Sequence, residues 1–371
     1  MKISSSFERI FKGKIVFVTG HTGFIGSWLT LWLHSLGAKV VGYSLKPPTQ
    51  PSMFEITDLK KDIIHIIGDI RNFKKLQETL VHHKPEFVFH LAAQPIVTTS
   101  YEKPIETLET NIMGTANLLE SVRKVKAVKS CVVFTSDKCY ANREISYAYS
   151  EDDPMGGHDP YSASKGATEL VTASLRNSFF NNKQEQKVGI ATARAGNVIA
   201  GGDWAMNRIV PDCIRALSSG KPMLIRNPSH TRPFQHVLEP VSGILCLAMK
   251  MRQKPEKYSQ AWNFGPKITN LKTSVKDLAE EIINKWESGK WKHAPGNKSN
   301  SLHEASTLFL DSSKANKLLG WHPVYLLDEA VKETVSWYKA YFANEEMKKF
   351  TLKQIDNYEK KAKKLNIIWA N

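Results

Sequence analysis

The chain has 371 residues, 42% hydrophobic and 23% charged, with a formal net charge of +15. That composition fits a soluble globular protein of one large or two smaller domains, and no apolar run reaches the roughly 20 residues of a membrane span. The charge alone would admit a nucleic-acid partner. No zinc-finger or RNA-binding signature interleaves the lysines, which leaves a solvated basic surface, with a basic cleft for an anionic small substrate fitting equally well.

Charged residues Glu8, Arg9, Lys12 and Lys14 interrupt the N-terminus where a signal peptide needs an apolar core. Lys14 to Thr19 reads as a short apolar strand. It runs into Gly20-His-Thr-Gly23-Phe24-Ile25-Gly26 and then the helical pattern Trp28 to Leu33. Strand, glycine turn and helix in that order point to a dinucleotide site. Glycine permits the tight turn, lets N–H groups approach a pyrophosphate and packs helix on strand. Ala38 to Tyr43 reads as the second strand; after it come Ser44 and Lys46, with no acid for a ribose 2′-hydroxyl, so this element leaves NAD and NADP both open. His65 to Asp69 is a third strand. Asp69 either accepts a hydrogen bond from an adenine amino group, with Ile70 beside it, or caps a helix from Asn72. Phe87 to Leu91 is a fourth, followed by Ala92-Ala93-Gln94, whose small residues let a nicotinamide ribose lie close to the backbone.

The apolar run from Cys131 to Phe134 is a fifth strand, and Ser136-Asp137-Lys138 follow it. In open α/β sheets ligands sit at the carboxyl ends of strands. Tyr161 and Lys165, four apart, share one helix face. An ammonium beside a phenol favours the phenolate and lowers the tyrosine pKa, which makes Tyr161 a base for a hydroxyl proton. Gly189 to Arg194 is a sixth strand. The stretch from Gly201 to Arg232 looks loop-rich and basic. His236 to Met251 has helical spacing, Ala261 to Phe264 reads as a further strand, Val275 to Trp286 as a helix, and the tail from Asn344 as lysine-rich and helical. Strands alternating with helical patterns predict an α/β fold, a Rossmann-type doubly wound parallel sheet with a smaller mixed α/β C-terminal lobe. Residues 1–195, with 234–264 returning to them, form the nucleotide-binding domain; 196–233 and 265–343 form the substrate lobe; 344–371 form the tail. Four cysteines without C-x-x-C spacing fit a reducing cytoplasm and neither disulfides nor zinc. His90, His158, His236 and His303 lack metal-ligand spacing, so no metal is expected.

The glycine loop, Ser136-Asp137-Lys138 and Tyr161-x-x-x-Lys165 together resemble the extended short-chain dehydrogenase/reductase family, and within it the nucleotide-sugar 4,6-dehydratases. Supporting stretches are Gly42 to Leu45, Pro51 to Glu55, Thr135 to Tyr140, Pro154 to Ser162, Ala193 to Val198, Gly201 to Ala205, Ile225 to Pro228 and Arg232 to Pro240. The chain departs from the family pattern at Glu144 to Tyr149, at Thr98 and at Ala200; the first two lie near the expected sugar site. The resemblance implies NAD as cofactor, CDP-glucose as substrate and a cytoplasmic homo-oligomer, dimer or tetramer, with no nucleic acid or membrane partner. It implies a place in deoxysugar and surface-polysaccharide biosynthesis, such as O-antigen and lipopolysaccharide. The residues leave open a dehydratase or epimerase acting on another UDP-, dTDP- or GDP-linked sugar, and a non-catalytic nucleotide-binding protein on the same fold. The implied roles are Tyr161 and Lys165 for oxidation at C4, Ser136 on the C4 oxygen, Lys138 as base at C5, and a protonated Asp137 as acid at the 6-hydroxyl. Arg232, with Arg208 and Asn197, would hold the pyrophosphate, and Arg226 would lie near the base.

Overall fold

The computed structural model describes residues 6–180, 188–267, 273–294 and 307–371. Its centre is a seven-stranded parallel sheet. The strands are β1 (Ile15–Thr19), β2 (Lys39–Ser44), β3 (Ile64–Ile67), β4 (Phe87–His90), β5 (Ser130–Phe134), β6 (Gly189–Ala195) and β7 (Ala261–Phe264). They lie in the order β7-β6-β5-β4-β1-β2-β3. The order reverses between β1 and β4, which opens a crevice at their carboxyl ends. The longer helices are α1 (Phe24–Ser35), α2 (Phe73–His83), α3 (Gly114–Arg123), α4 (Pro160–Leu175), α5 (Ile209–Ser218), α6 (Leu238–Gln253), α7 (Val275–Trp286), α8 (Leu327–Phe342) and α9 (Met347–Lys364).

The interior strands are apolar on both faces because both faces are covered. Val16, Val18, Phe87, Phe89 and Val132 point into one core with α1, α6, α8 and α9. Their neighbours Phe17, Val88, Cys131 and Val133 point into the other with α2 and α3. Parallel register sets Thr19 beside His90, His90 beside Val133, and Phe134 beside Ala193. Gly20, Leu91, Thr135 and Ala195 therefore emerge along one edge of the sheet.

The 201–232 stretch is not simply loop. It contains α5 and the strand Met223–Ile225, which pairs in parallel with Trp291–His293. Val210, Cys213, Ile214 and Leu217 recur at helical spacing and are buried, which supplies the driving force that its polar composition hid. Among the described residues, the other predicted strands and helices recur within a few residues of their expected bounds.

The C-terminal stretch is seated in the larger core. Trp369 stacks on Phe7 at 4.9 Å, and Tyr358 meets Trp32 and Trp369 edge-on and stacked. The Tyr358 hydroxyl donates to Glu239 at 2.7 Å, and Glu239 also accepts from the N–H groups of Val324 and Tyr325. Burial lifts the Glu239 carboxyl to about 7 in spite of these donors. The lysines of α9 lie mostly on its outer face, so its charge pattern marks the solvent side of a packed helix. Trp369→Ala removes a fully buried ring and is expected to cost about 3–5 kcal/mol, lowering the thermal unfolding midpoint by several degrees. An unchanged midpoint would show that the C-terminal segment is not part of the core.

Candidate active site

The glycine loop crosses the edge between β1 and α1. Gly20 has φ +76°, and a Cβ there would lie 2.7 Å from the Ala92 nitrogen. A Cβ on Gly26 would lie 2.1 Å from the Gly20 carbonyl oxygen, whereas one on Gly23 would meet only that oxygen, at 3.3 Å. Gly23 opens α1 without a side-chain cap. The helix N-terminus, with Phe24 and Ile25 in its first turn, thus presents uncapped N–H groups at the carboxyl end of β1. That is what a dinucleotide pyrophosphate requires. At the end of β2, the Ser44 hydroxyl bonds Thr22 Oγ1 at 2.8 Å. Asp69 is engaged by Arg71 at 2.7 Å, and its salt bridge holds the carboxyl below its usual range. Asn72, not Asp69, caps α2 by accepting from the Lys75 N–H. Ile70 is buried against Gly114.

After β4, the Gln94 side chain folds back on its own loop, bonding Ile96 and Thr107. Asn111 brackets the Gln94 backbone, accepting from its N–H at 2.8 Å and donating to its carbonyl at 3.1 Å. The same Asn111 amide donates to Ser164 Oγ at 2.8 Å on α4. Asn111 therefore ties the loop carrying Ala92, Ala93 and Gln94 to the helix carrying Tyr161 and Lys165. The sequence offered no signal for it.

Helix α4 begins at Asp159-Pro160, where the Asp159 side chain accepts from the Ser162 N–H and proline occupies the first turn. Ser100 Oγ accepts from the Tyr161 N–H at 3.2 Å. Tyr161 and Lys165 are both buried, at 8% and 5% exposure, with the ammonium 5.8 Å from the ring centroid. Opposite them, Ser136 is extended at the end of β5 and opens a short turn, Asp137–Cys139. Ser136 Oγ donates to Asp137 Oδ1 at 3.0 Å and accepts from the Lys138 N–H at 3.2 Å. Asp137 is 4% exposed and Lys138 is half-buried.

Burial dominates the ionisation of this cluster. It pushes the Asp137 carboxyl up despite Lys138, Ser136 and Arg232. It pulls the Lys165 ammonium down to about 8. Tyr161 departs from expectation: its phenol is raised to about 12, chiefly by burial, although Ser136 and Arg208 pull it down. A half-depressed ammonium lying over the ring does not offset the loss of water around a phenolate.

Arg232 is 7% exposed and close enough to Asp137 to act on its charge. Arg208 acts likewise on Tyr161 and is held by buried Asp203 at 3.0 Å. Asn197 is half-buried, just beyond β6, with its carbonyl accepting from the Gln235 N–H. Arg226 is exposed at the end of Met223–Ile225. His90 is internal: Thr19 Oγ1 and Thr115 Oγ1 hold its two nitrogens, and burial lowers it to about 3. His236 is buried too, and His303 lies outside the described residues. Among the described residues no group of His, Cys, Asp and Glu could hold a metal ion.

These features match a known family. The chain belongs to the GDP-mannose 4,6-dehydratase family, whose family model matches residues 17–334. It is 49% identical over 354 residues to the CDP-glucose 4,6-dehydratase of Salmonella typhimurium, covering 95% of this chain and 98% of that protein. Solved structures share the fold. A dTDP-glucose 4,6-dehydratase from Streptomyces venezuelae with NAD and TYD bound superposes with TM-score 0.74 at 20% identity, over 90% of this chain and 99% of that one. A UDP-glucose 4-epimerase from Thermotoga maritima with UDP-glucose gives 0.74 at 22% identity, over 88% and 99%.

Gly26→Ala forces its methyl group onto the Gly20 carbonyl and displaces the loop from α1. It is expected to weaken NADH binding by at least about tenfold in a fluorescence titration, a loss of ~1.4 kcal/mol. Unchanged affinity would show that the dinucleotide does not bind at this loop.

Proposed function

We propose that the chain is a nucleotide-sugar 4,6-dehydratase that converts CDP-D-glucose to CDP-4-dehydro-6-deoxy-D-glucose and water with NAD. The observation that carries this reading is the meeting, at one edge of the sheet, of two sets of groups. One set, Tyr161 and Lys165, suits oxidation of an alcohol; the other, Asp137 and Lys138, suits elimination. The 49% identity to a CDP-glucose 4,6-dehydratase along nearly the whole chain supports the same substrate.

Bound at the glycine loop, NAD supplies a reversible hydride acceptor. Tyr161, as phenolate, takes the proton of the 4-hydroxyl as hydride leaves C4, and Ser136 hydrogen-bonds the C4 oxygen. The ketone at C4 acidifies the C5 hydrogen, which Lys138 removes in its amine form. Asp137, kept protonated by burial, gives its proton to the departing 6-hydroxyl. Hydride then returns to C6, and Lys138 returns a proton to C5. Ser136 and Arg208 favour the phenolate of a tyrosine that burial nonetheless holds at about 12. Arg232 and Arg208 bind the pyrophosphate, with Asn197 beside them, and Arg226 serves the nucleotide only if the substrate reaches the end of its strand.

Residues 196–233 and 265–343 serve as the substrate lobe; support comes from the pairing of Met223–Ile225 with Trp291–His293 and the contact of Trp286 on α7 with Phe342 on α8. Exposed Ile105, Met113 and Leu170 near and on α4 support self-association as a dimer or tetramer. A cytoplasmic location fits four cysteines that are all buried and unpaired. No described helix is long and apolar enough to cross a membrane.

Incubation with CDP-glucose and NAD is expected to yield a 4-keto-6-deoxy sugar, read by its absorbance in alkali, with UDP- and dTDP-glucose turned over far more slowly. Equal turnover of all three would remove the CDP assignment. Tyr161→Phe is expected to lower the rate by about 10³-fold while keeping NAD bound; a near-parental rate excludes Tyr161 as the base.

Lys138→Ala is expected to oxidise bound sugar and accumulate NADH yet lose C5 hydrogen exchange, whereas Asp137→Asn stalls with more exchange retained. Undiminished exchange in Lys138→Ala would move the C5 base elsewhere. Because Asp137 acts protonated and its carboxyl is raised, the elimination rate should fall as pH rises through that value. A rate that instead rises there would assign Asp137 another role.

A further inference from the structure

One turn beyond Lys165 on α4 lies Glu169, 4% exposed and not used in the chemistry above. Its two carboxylate oxygens reach two strands. Oε1 accepts from Thr135 Oγ1 at 2.5 Å, and Thr135 immediately precedes Ser136. Oε2 accepts from Thr192 Oγ1 at 2.6 Å and from an Arg194 Nη at 2.8 Å, both on β6. Arg194 continues the chain of contacts. Its other Nη donates to the Tyr140 hydroxyl at 2.7 Å, and its guanidinium lies 4.9 Å over the Tyr140 ring. Tyr140 directly follows the turn that carries Asp137 and Lys138, and its hydroxyl donates to Asn263 Oδ1 on β7 at 2.7 Å.

We propose that Glu169, one helical turn from Lys165, is a positioning residue that sets the tyrosine–lysine half of the active site against the serine–aspartate–lysine half. The proposal rests on the function proposed above. The geometric case is that one carboxylate joins α4, β5 and β6, and through Arg194 and Tyr140 reaches the back of the catalytic turn. A surface ion pair could relax by a rotamer change; this pair, both side chains 4% exposed, has no room to do so. The electrostatic case concerns Lys165. The charges and titratable groups around it are Tyr161 and Glu169 from its own helix, Cys139 from the catalytic turn and His90 from β4. Burial brings its ammonium down to about 8, and Cys139 first and Glu169 second oppose that fall. Glu169 in turn faces buried Arg194 and Cys139 and half-buried Arg176.

The test pairs Glu169→Gln, which keeps the size of the side chain and removes its charge, with the double variant Glu169→Gln, Arg194→Met. The double variant leaves no buried guanidinium unpaired and so stands if the single variant does not fold. Full-length protein with NAD is used throughout. Both variants are expected to bind NAD and to lose about tenfold to a hundredfold in kcat with little change in KM. A carbon-13 NMR titration of labelled lysine, assigned with Lys165→Arg, reads the same ionisation without turnover and should show Lys165 losing its proton at lower pH.

An unmoved Lys165 titration, or an unmoved kcat in folded variants, overturns the proposal even if thermal stability falls. A parental enzyme inert towards CDP-glucose would instead overturn the functional reading, and the NMR titration would still decide the role of Glu169.

Discussion

Everything in this active site depends on the parallel register of β4, β5 and β6. Because His90, Val133 and Thr192 lie side by side, the backbones that leave these strands arrive together at one edge. The chain after β4 supplies the small residues beside Gly20, the chain after β5 supplies Ser136, Asp137 and Lys138, and the chain after β6 supplies Gly196 and Asn197. A Cβ on Gly196 would lie 3.2 Å from Asp137 Oδ2, so the third strand end packs directly behind the acid. Helix α4 closes the group from above. Slippage of any one strand would exchange its faces and turn these residues into the core.

The price of that convergence is desolvation. Tyr161, Lys165 and Asp137 each have the charged form disfavoured by burial, and no neighbour among the described residues reverses it for any of the three. For Asp137 the result suits an acid. For Lys165 it weakens the charge that a phenolate needs. For Tyr161 it makes the resting protein a poor base, so ionisation becomes tied to ligand charges entering the pocket.

The sheet was legible because its interior strands are uniformly apolar and the glycine loop sits between a strand and a helix. Tyr161, Lys165 and Ser136 to Lys138 were legible because their residue types are rare together at strand and helix ends. What the sequence hid depends on distance in space. Asn111 and Glu169 are ordinary polar residues of helical segments until folding places them against Gln94, Ser164, Thr135 and Arg194. Helix α5 was hidden by flanking glycines and arginines. The sign of the Tyr161 shift was misread because the spacing to Lys165 is visible in sequence while the depth of burial is not. Arg226 was read from its extended, apolar-flanked segment, and the structure shows it exposed at the end of Met223–Ile225.

The most direct measurement of the central claim follows a single hydrogen. CDP-glucose deuterated at C4 is incubated with the enzyme and NAD in ordinary water, and the product is analysed by mass spectrometry and NMR. If one pocket oxidises C4, eliminates water and reduces C6 without releasing its cofactor, the deuterium appears in the C6 methyl group and the hydrogen at C5 comes from solvent. Deuterium lost to the medium, or retained at C4, would contradict a single enclosed site acting through Tyr161, Asp137 and Lys138.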